Sequence, residues 1–214
     1  MNGAEYYFSH VGRCEFPGWE CQGPDACWGV DFFNQTEPVF TTEYSTDLLT
    51  RRAEEIILGH DAERDGPLFL YLPYQAVHGR LEAPPEVIAR FAHIADEDRR
   101  VFAAMLWKLD EGVGNVTRAL ERAGLANDTV LVFSSDNGGD PHFGGNNYPL
   151  RGWKGSYWEG GVRAVGFVHS PLLEERGVTR RDLMSVADWF PTLLRLAGAA
   201  PERWAGVDGV DQVR

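Results

Sequence analysis

Three short apolar runs set the limits on what this chain can fold into. They are "GPLFLYLP" (66–73), "TVLVFSS" (129–135) and "VRAVGFVHS" (162–170). Each is strand-length, bounded by breakers, and apolar without a polar face, so each is expected to be a strand buried on both sides. The segments between them carry a helical period instead. Leu49, Ala53 and Ile56 share one face of "STDLLTRRAEEIILG", which Gly59 stops, and a proline opens "APPEVIARF". Phe102, Leu106, Leu109, Val113, Val116 and Leu120 recur at helical spacing up to Gly124. "SVADWFPTLLRLAG" is expected to be a helix with Asp188 at its N-cap and Gly198 at its end. Doubly buried strands joined by helices imply an α/β domain with a mostly parallel or mixed sheet covered by helices on both faces. Residues 45–214 form that portion. Residues 1–44, aromatic and rich in glycine, proline and cysteine, are expected to be irregular.

Composition removes several function classes. Hydrophobic residues make up 43% of the 214, which excludes a disordered chain. Acidic residues outnumber basic ones by 32 to 20, a formal charge of −12, and no basic stripe appears, so nucleic acid is not an expected partner. No stretch approaches the ~20 apolar residues of a membrane span, and the first residues do not read as a signal peptide. Sequons at Asn34, Asn115 and Asn127 point mildly to a secretory route. Cys14, Cys21 and Cys27 are odd in number, so they can make one disulfide and leave one thiol.

Ligands of open α/β sheets bind beyond the carboxyl ends of the strands. His78 follows the first apolar run by a few residues, and Asp136 and Asn137 directly follow the second. The strands ending near Pro73 and Ser135 are expected to be parallel, which would put these residues at one rim. Asp136 and Asn137 offer two hard oxygen ligands of the kind Ca²⁺ or Mg²⁺ takes, although a pair is far short of calcium's 6–8. On its own, Asp-Asn-Gly-Gly is a turn signal. Lys154, in a loop rich in glycine and tryptophan, could hold a tetrahedral anion or simply face water. His78 could supply a proton or be satisfied by backbone. Arg151 and Glu159 could pair to brace the loop. Together, a ligand pair, a lysine and a histidine at one rim make an oxyanion site.

At this point the sequence resembles the type I sulfatases, and most closely their arylsulfatase B (N-acetylgalactosamine-4-sulfatase) branch. The matching segments are "LFLYLPYQAVHGRLEAPPE", "DEGVGNVTRALERAGLANDTVLVFSSDNGG", "GGNNYPLRGWKGSYWEGGVRAVGFVHSPLL" and "VADWFPTLLRLAG". The resemblance implies an alkaline-phosphatase-like α/β fold and hydrolysis of sulfate esters, on a sulfated small molecule or glycosaminoglycan. It implies Asp136 and Asn137 as ligands of one Ca²⁺, and Lys154 and His78 as sulfate contacts, with His78 helping to protonate the leaving oxygen. It further implies glycosylation at Asn115 and Asn127, a Cys14–Cys27 disulfide with Cys21 left over, and a lysosomal or secreted location. It leaves oligomeric state open.

The family's nucleophile is a formylglycine made from the cysteine of a C-x-P-S-R motif. The contexts here are "CEFPG", "CQGPD" and "CWGVD", so none of the three cysteines supplies it. The upstream Asp-Asp metal pair is also missing. The expectation is therefore an incomplete catalytic domain carrying half a site and inactive alone. Other readings are a phosphodiesterase or phosphatase of the alkaline-phosphatase type, against which "PLRGWKGSYWEGG" argues, and a non-catalytic sulfoglycan-binding protein.

Overall fold

The long amphipathic segment behaves as its period requires. In the computed structural model, which describes residues 6–13 and 28–213, it is a 26-residue helix, α4 (Glu97–Arg122). Asp96 caps its start by accepting the Arg99 N–H at 2.8 Å. Gly124, at φ 73°, ends it: the Leu125 N–H returns to the Leu120 carbonyl and the Gly124 N–H to that of Glu121. This is the glycine-closed terminus that only a left-handed residue permits cheaply.

α4 packs against α1 (Ser45–Gly59) and α3 (Pro85–Arg90). The buried stripe of α1 is Thr46, Thr50, Ala53 and Ile57, one position away from the Leu49, Ala53, Ile56 face expected. That of α4 is Ala104, Met105, Leu109, Gly112 and Ala119, while Leu106 stays 49% exposed. Small residues win the interface because α1 comes in close. A Cβ on Gly112 would meet the Thr50 hydroxyl at 2.7 Å and the Tyr74 hydroxyl at 3.0 Å. The core proper joins Ala104 and Met105 of α4 to Tyr7, Tyr44, Ala83 and Val87.

The α/β character holds, with corrections to the strands. Gly66–Pro73 forms no strand: after the short α2 (Ala62–Asp65) the chain runs on without ladder partners, and Phe69 and Tyr71 are 77% and 76% exposed. The parallel pairing expected of it is therefore not formed among the described residues. A doubly apolar run needs a neighbouring strand and a layer covering each face; among the described residues it has no neighbouring strand, and the Phe69–Tyr71 face is uncovered. Two strands do pair at the other runs, antiparallel: β5 (Leu131–Ser134) with β6 (Gly166–His169), Phe133 facing Phe167 with rings stacked at 5.2 Å. β6 is exposed along its length, because a two-stranded ladder cannot cover both of its own faces.

The first 44 residues hold short ladders rather than only irregular chain: β1 (Val11–Arg13) with β2 (Trp28–Val30), and β3 (Phe33–Asn34) with β4 (Glu37–Pro38). Cys14, Cys21 and Cys27 lie outside the described residues, and the disulfide with them.

The chain divides into two compact units, Met1–Leu172 and Leu173–Arg214. In the second, α6 (Trp189–Leu196) follows a 3-10 turn over Val186–Asp188. Asp188 stands at the N-cap position of α6 as expected but makes no side-chain cap bond there; instead it forms a capping box with Ser185, which caps the preceding turn. The Asp188 carboxylate accepts the N–H groups of Ser185 and Val210 and the Gln212 side chain, tying the terminal segment down. Those backbone donors hold its carboxyl below the ordinary range.

Candidate functional site

Two loops of the first unit deliver the site. The first, residues 74–82, is held by hydroxyl groups. Tyr74 donates to Thr50 Oγ1 at 2.8 Å, which in turn donates to the Thr46 carbonyl. Ser45 donates to Gln75 Oε1 at 2.9 Å. The Tyr7 hydroxyl reaches the carbonyls of His78 at 2.9 Å and Gln75 at 3.1 Å, and the Tyr44 hydroxyl that of Glu82 at 2.9 Å. The Glu82 carboxylate accepts the Tyr7 N–H at 2.7 Å, and the two rings stack at 5.2 Å. Burial pushes both phenols well above their ordinary value, so they remain donors. His78 is thus fixed at its backbone while its ring stands in solvent.

The second loop is held mostly by backbone. Ser135 follows β5; its N–H bonds to the Val165 carbonyl and its hydroxyl accepts the Val165 N–H. Asp136 and Asn137 come next, and then Gly138, whose N–H meets the Gly161 carbonyl at 2.9 Å. The returning arm enters α5 (Glu159–Val162), with Gly160 and Gly161 buried. A side chain on Gly138 would strike the Gly160 carbonyl, so the two arms approach as closely as bare backbone allows. Asn147 closes the middle: its Oδ1 accepts the Gly139 N–H and its Nδ2 donates to the Gly139 carbonyl, both at 2.8 Å. The same carbonyl accepts the Lys154 N–H at 3.3 Å. Arg151 and Glu159 do not pair with each other. The Arg151 guanidinium lies 3.8 Å from the centre of the Trp158 ring, and Glu159 pairs with Arg163 at 3.0 Å.

The two loops meet. Lys154 Nζ lies 2.7 Å from His78 Nε2, across a separation of 76 residues. The Phe143 ring fills the space a Cβ on Gly79 would need, a second contact beside the first. For the nitrogens to bond at this distance one must lack a proton: the ammonium donates and a neutral imidazole accepts. The pair is a ready anion grip, since an entering oxyanion can accept a hydrogen bond from the ammonium and leave the Nε2 lone pair free to take up a proton.

Asp136 is exposed and Asn137 half-buried. Asp136 Oδ1 accepts the Asn137 N–H at 2.8 Å, and Asn137 Nδ2 donates to the Gly138 carbonyl, so these bonds engage neither Asp136 Oδ2 nor Asn137 Oδ1. These hard oxygen donors fit a divalent metal as two members of a larger set. Among the described residues no group of three His, Cys, Asp or Glu side chains gathers around one point. Asp140 lies in the same loop. Its carboxyl is held below the ordinary range chiefly by the His142 N–H and ring, and further by the charge of Lys154. Of the sequons, Asn34 on β3 and Asn127 on a 3-10 turn are exposed. Asn115 sits half-buried within α4 and accepts from Arg118.

The sequence singled out His78, Asp136, Asn137 and Lys154. It missed what holds them: Tyr7, Tyr44, Gln75, Asn147 and Asp140. Only the Asn146-Asn147 pair amid glycines carried a local signal.

A family model described as Sulfatase matches residues 3–199. Mouse (Mus musculus) arylsulfatase J is 43% identical over 212 residues, covering 98% of this chain and 34% of that protein. Mouse steryl-sulfatase is 37% identical over 172 residues, covering 76% and 27%. The crystal structure of Ps i-CgsB in complex with k-i-k-neocarrahexaose superposes with a TM-score of 0.76 at 37% identity, over 82% of this chain and 39% of that one. The chain thus spans about a third of the length of the curated relatives it matches.

Proposed function

The chain belongs to the sulfatase family, and on that premise we propose that it serves the hydrolysis of sulfate esters by holding the sulfate group between Lys154 and His78. The observation that supports this is the 2.7 Å contact between those side chains, made by loops of different origin. Lys154 places an ammonium against a sulfate oxygen, where a point charge in a partly dehydrated loop counts for more than in bulk water. His78 Nε2, released from Lys154, can take a proton from solvent and pass it to the oxygen of the departing alcohol.

Asp136 and Asn137 would hold a divalent cation, Ca²⁺ by the family resemblance, which when bound would supply Lewis acidity toward the sulfate. None of this chain's cysteine contexts is the nucleophile motif, and the Asp-Asp pair expected to complete the metal site is not found in the sequence, so the chain alone is expected to bind without turnover. The finer placement, in the arylsulfatase B branch with a sulfated aryl compound or glycosaminoglycan as substrate, rests on the length of the matching segments. The exposed sequons at Asn34 and Asn127 support a lysosomal or secreted location. No helix of the described residues is long and apolar enough to cross a membrane.

Titration of the chain with sulfate, followed by the ring resonances of His78, tests the reading. Sulfate should shift them, Lys154→Met should abolish the shift, and 4-nitrophenyl sulfate should not be hydrolysed. A His78 ring indifferent to sulfate overturns the site. Hydrolysis lost on Lys154→Met overturns the claim that the chain is inactive alone.

A further inference from the structure

The turn over residues 140–145 touches both loops of the site. It closes on itself: Asp140 accepts the His142 N–H at 3.0 Å, the Phe143 and Gly145 N–H groups return to the Asp140 carbonyl, and Gly144 turns at φ 75°. We infer that Phe143, carried by this turn, is a positioning residue for the anion grip: its ring, seated on the bare α-carbon of Gly79, sets the spacing between the His78 loop and the Lys154 loop.

The grip needs such a spacer. The bond between Lys154 and His78 joins two exposed side chains, and one exposed hydrogen bond does not repay the rotamer freedom a lysine gives up to make it. The Phe143 ring has the apolar area and the stiffness that the lysine lacks, and more than half of it is covered. Where a Cβ on Gly79 would stand, the three nearest atoms are Phe143 Cδ1, Cγ and Cδ2, at 2.5, 2.6 and 2.9 Å, so the ring rests on backbone one residue from His78. Gly79 has no left-handed φ to demand glycine; the ring is what excludes a side chain there.

The turn that carries the ring is tied to Lys154. Asp140 follows Gly139, whose carbonyl takes the Lys154 N–H and whose two backbone groups are clamped by Asn147. The other end of the turn is anchored on α4. A side chain on Gly144 would meet the Asp98 carbonyl at 2.8 Å, and Arg99 Nη1 donates to the Gly144 carbonyl at 2.6 Å. A ring fixed to the helix and to the Lys154 loop, and resting on the residue after His78, acts on the grip through backbone without touching the anion. That the spacing serves sulfate rests on the sulfate-holding reading above; the seating of the ring does not.

The full chain, followed by the Gly79 α-proton and His78 ring-nitrogen resonances and titrated with inorganic sulfate, tests the inference. Phe143→Ala should remove the ring-current shift at Gly79 and the signature of the Lys154 bond at His78 Nε2. It should weaken sulfate about tenfold, while the amides of Gly139, Asn147 and Gly161 stay in place. Phe143→Tyr, which keeps the ring, should keep the resonances and the affinity. Gly79→Ala should weaken sulfate by a similar factor and should add nothing to Phe143→Ala, because the clash and the seat are one contact; independent effects would multiply to about a hundredfold. Gly79 protons indifferent to Phe143→Ala, a His78 Nε2 signal unchanged in that variant, losses that multiply in the double variant, or amides of Gly139 and Asn147 that move with His78 each overturns the inference. Sulfate binding weakened by Lys154→Met yet untouched by Phe143→Ala overturns it and leaves the sulfate-holding role standing. Loss of the His78–Lys154 bond in Phe143→Ala, in a chain whose His78 ring ignores sulfate, sustains it and removes that role.

Discussion

The loop that carries His78 and the loop that carries Lys154 reach the same point by opposite means. The first is held from outside, by hydroxyls on α1 and on the segment around Tyr7 that reach its carbonyls and side chains. The second is held from within, by glycine backbones and one asparagine that acts as a stretch of backbone. A loop clamped by side chains loses its position one hydrogen bond at a time. A loop clamped by backbone contact tolerates no added atom at the contact, and so fails all at once.

That contrast predicts where the largest loss lies. Gly138→Ala places a methyl on the Gly160 carbonyl, and backbone rather than a flexible side chain must move. The expected cost is about 3 kcal/mol, at the upper end for an overpacked site, read as a fall in the urea midpoint of the chain. The same variant should lose the His78–Lys154 contact, visible as a free-imidazole spectrum. A midpoint within about 0.5 kcal/mol of the parent, the range of an ordinary surface substitution, would mean that the arms do not touch as described.

This difference also governs how much could be read from the sequence. The glycine-rich loop announced itself, because close backbone contact demands glycine and glycine is visible; Lys154 and the Asp136–Asn137 pair came with it. The helices α1 and α4 were legible from period, though the buried stripes shifted toward Thr50 and Gly112 because interhelical distance is not written in a period. Tyr7 was invisible as a support for His78, since its partners are main-chain carbonyls some 70 positions away, with no sequence signature. Gly66–Pro73 misled for a related reason: an apolar run specifies that it wants a partner on each side, not that the partner is at hand.

A smaller effect is expected on the side-chain-held loop. Tyr7→Phe keeps the ring stack with Tyr44 and removes only the hydroxyl, leaving the carbonyls of Gln75 and His78 without it. The cost should be about 1–2 kcal/mol, a buried hydrogen bond rather than a clash. The His78 ring should broaden or shift while the amides of Gly138, Gly139 and Gly161 stay in place. If those glycine amides move as much as His78 does, the two loops are one mechanical unit and the contrast fails.

The smallest effect is a difference in acid response. His10 is buried, with Nε2 donating to the Glu43 carbonyl at 2.9 Å, Nδ1 without a partner among the described residues, and its ring stacked on Phe32. Burial lowers its proton affinity below the ordinary value of 6.5. A histidine depressed in the folded state binds its proton more readily once unfolded, so the stability it contributes is complete above that value and declines as pH falls through it. Asp140 in the second loop is also depressed, from 3.8, and its contribution is lost only as pH falls below that range. Mild acid should therefore loosen the His10 side first, while the turn held by Asp140 persists until carboxylates protonate. Unfolding curves collected down from neutral pH should show stability falling from about pH 6.5, with the fall reduced in His10→Gln. In that window amide shifts should appear around Glu43 and Phe32 and be absent at Gly139 and Asn147. A decline that persists unchanged in His10→Gln, or one that begins at the Asn147 amide, would place the acid-sensitive element on the wrong side of the comparison.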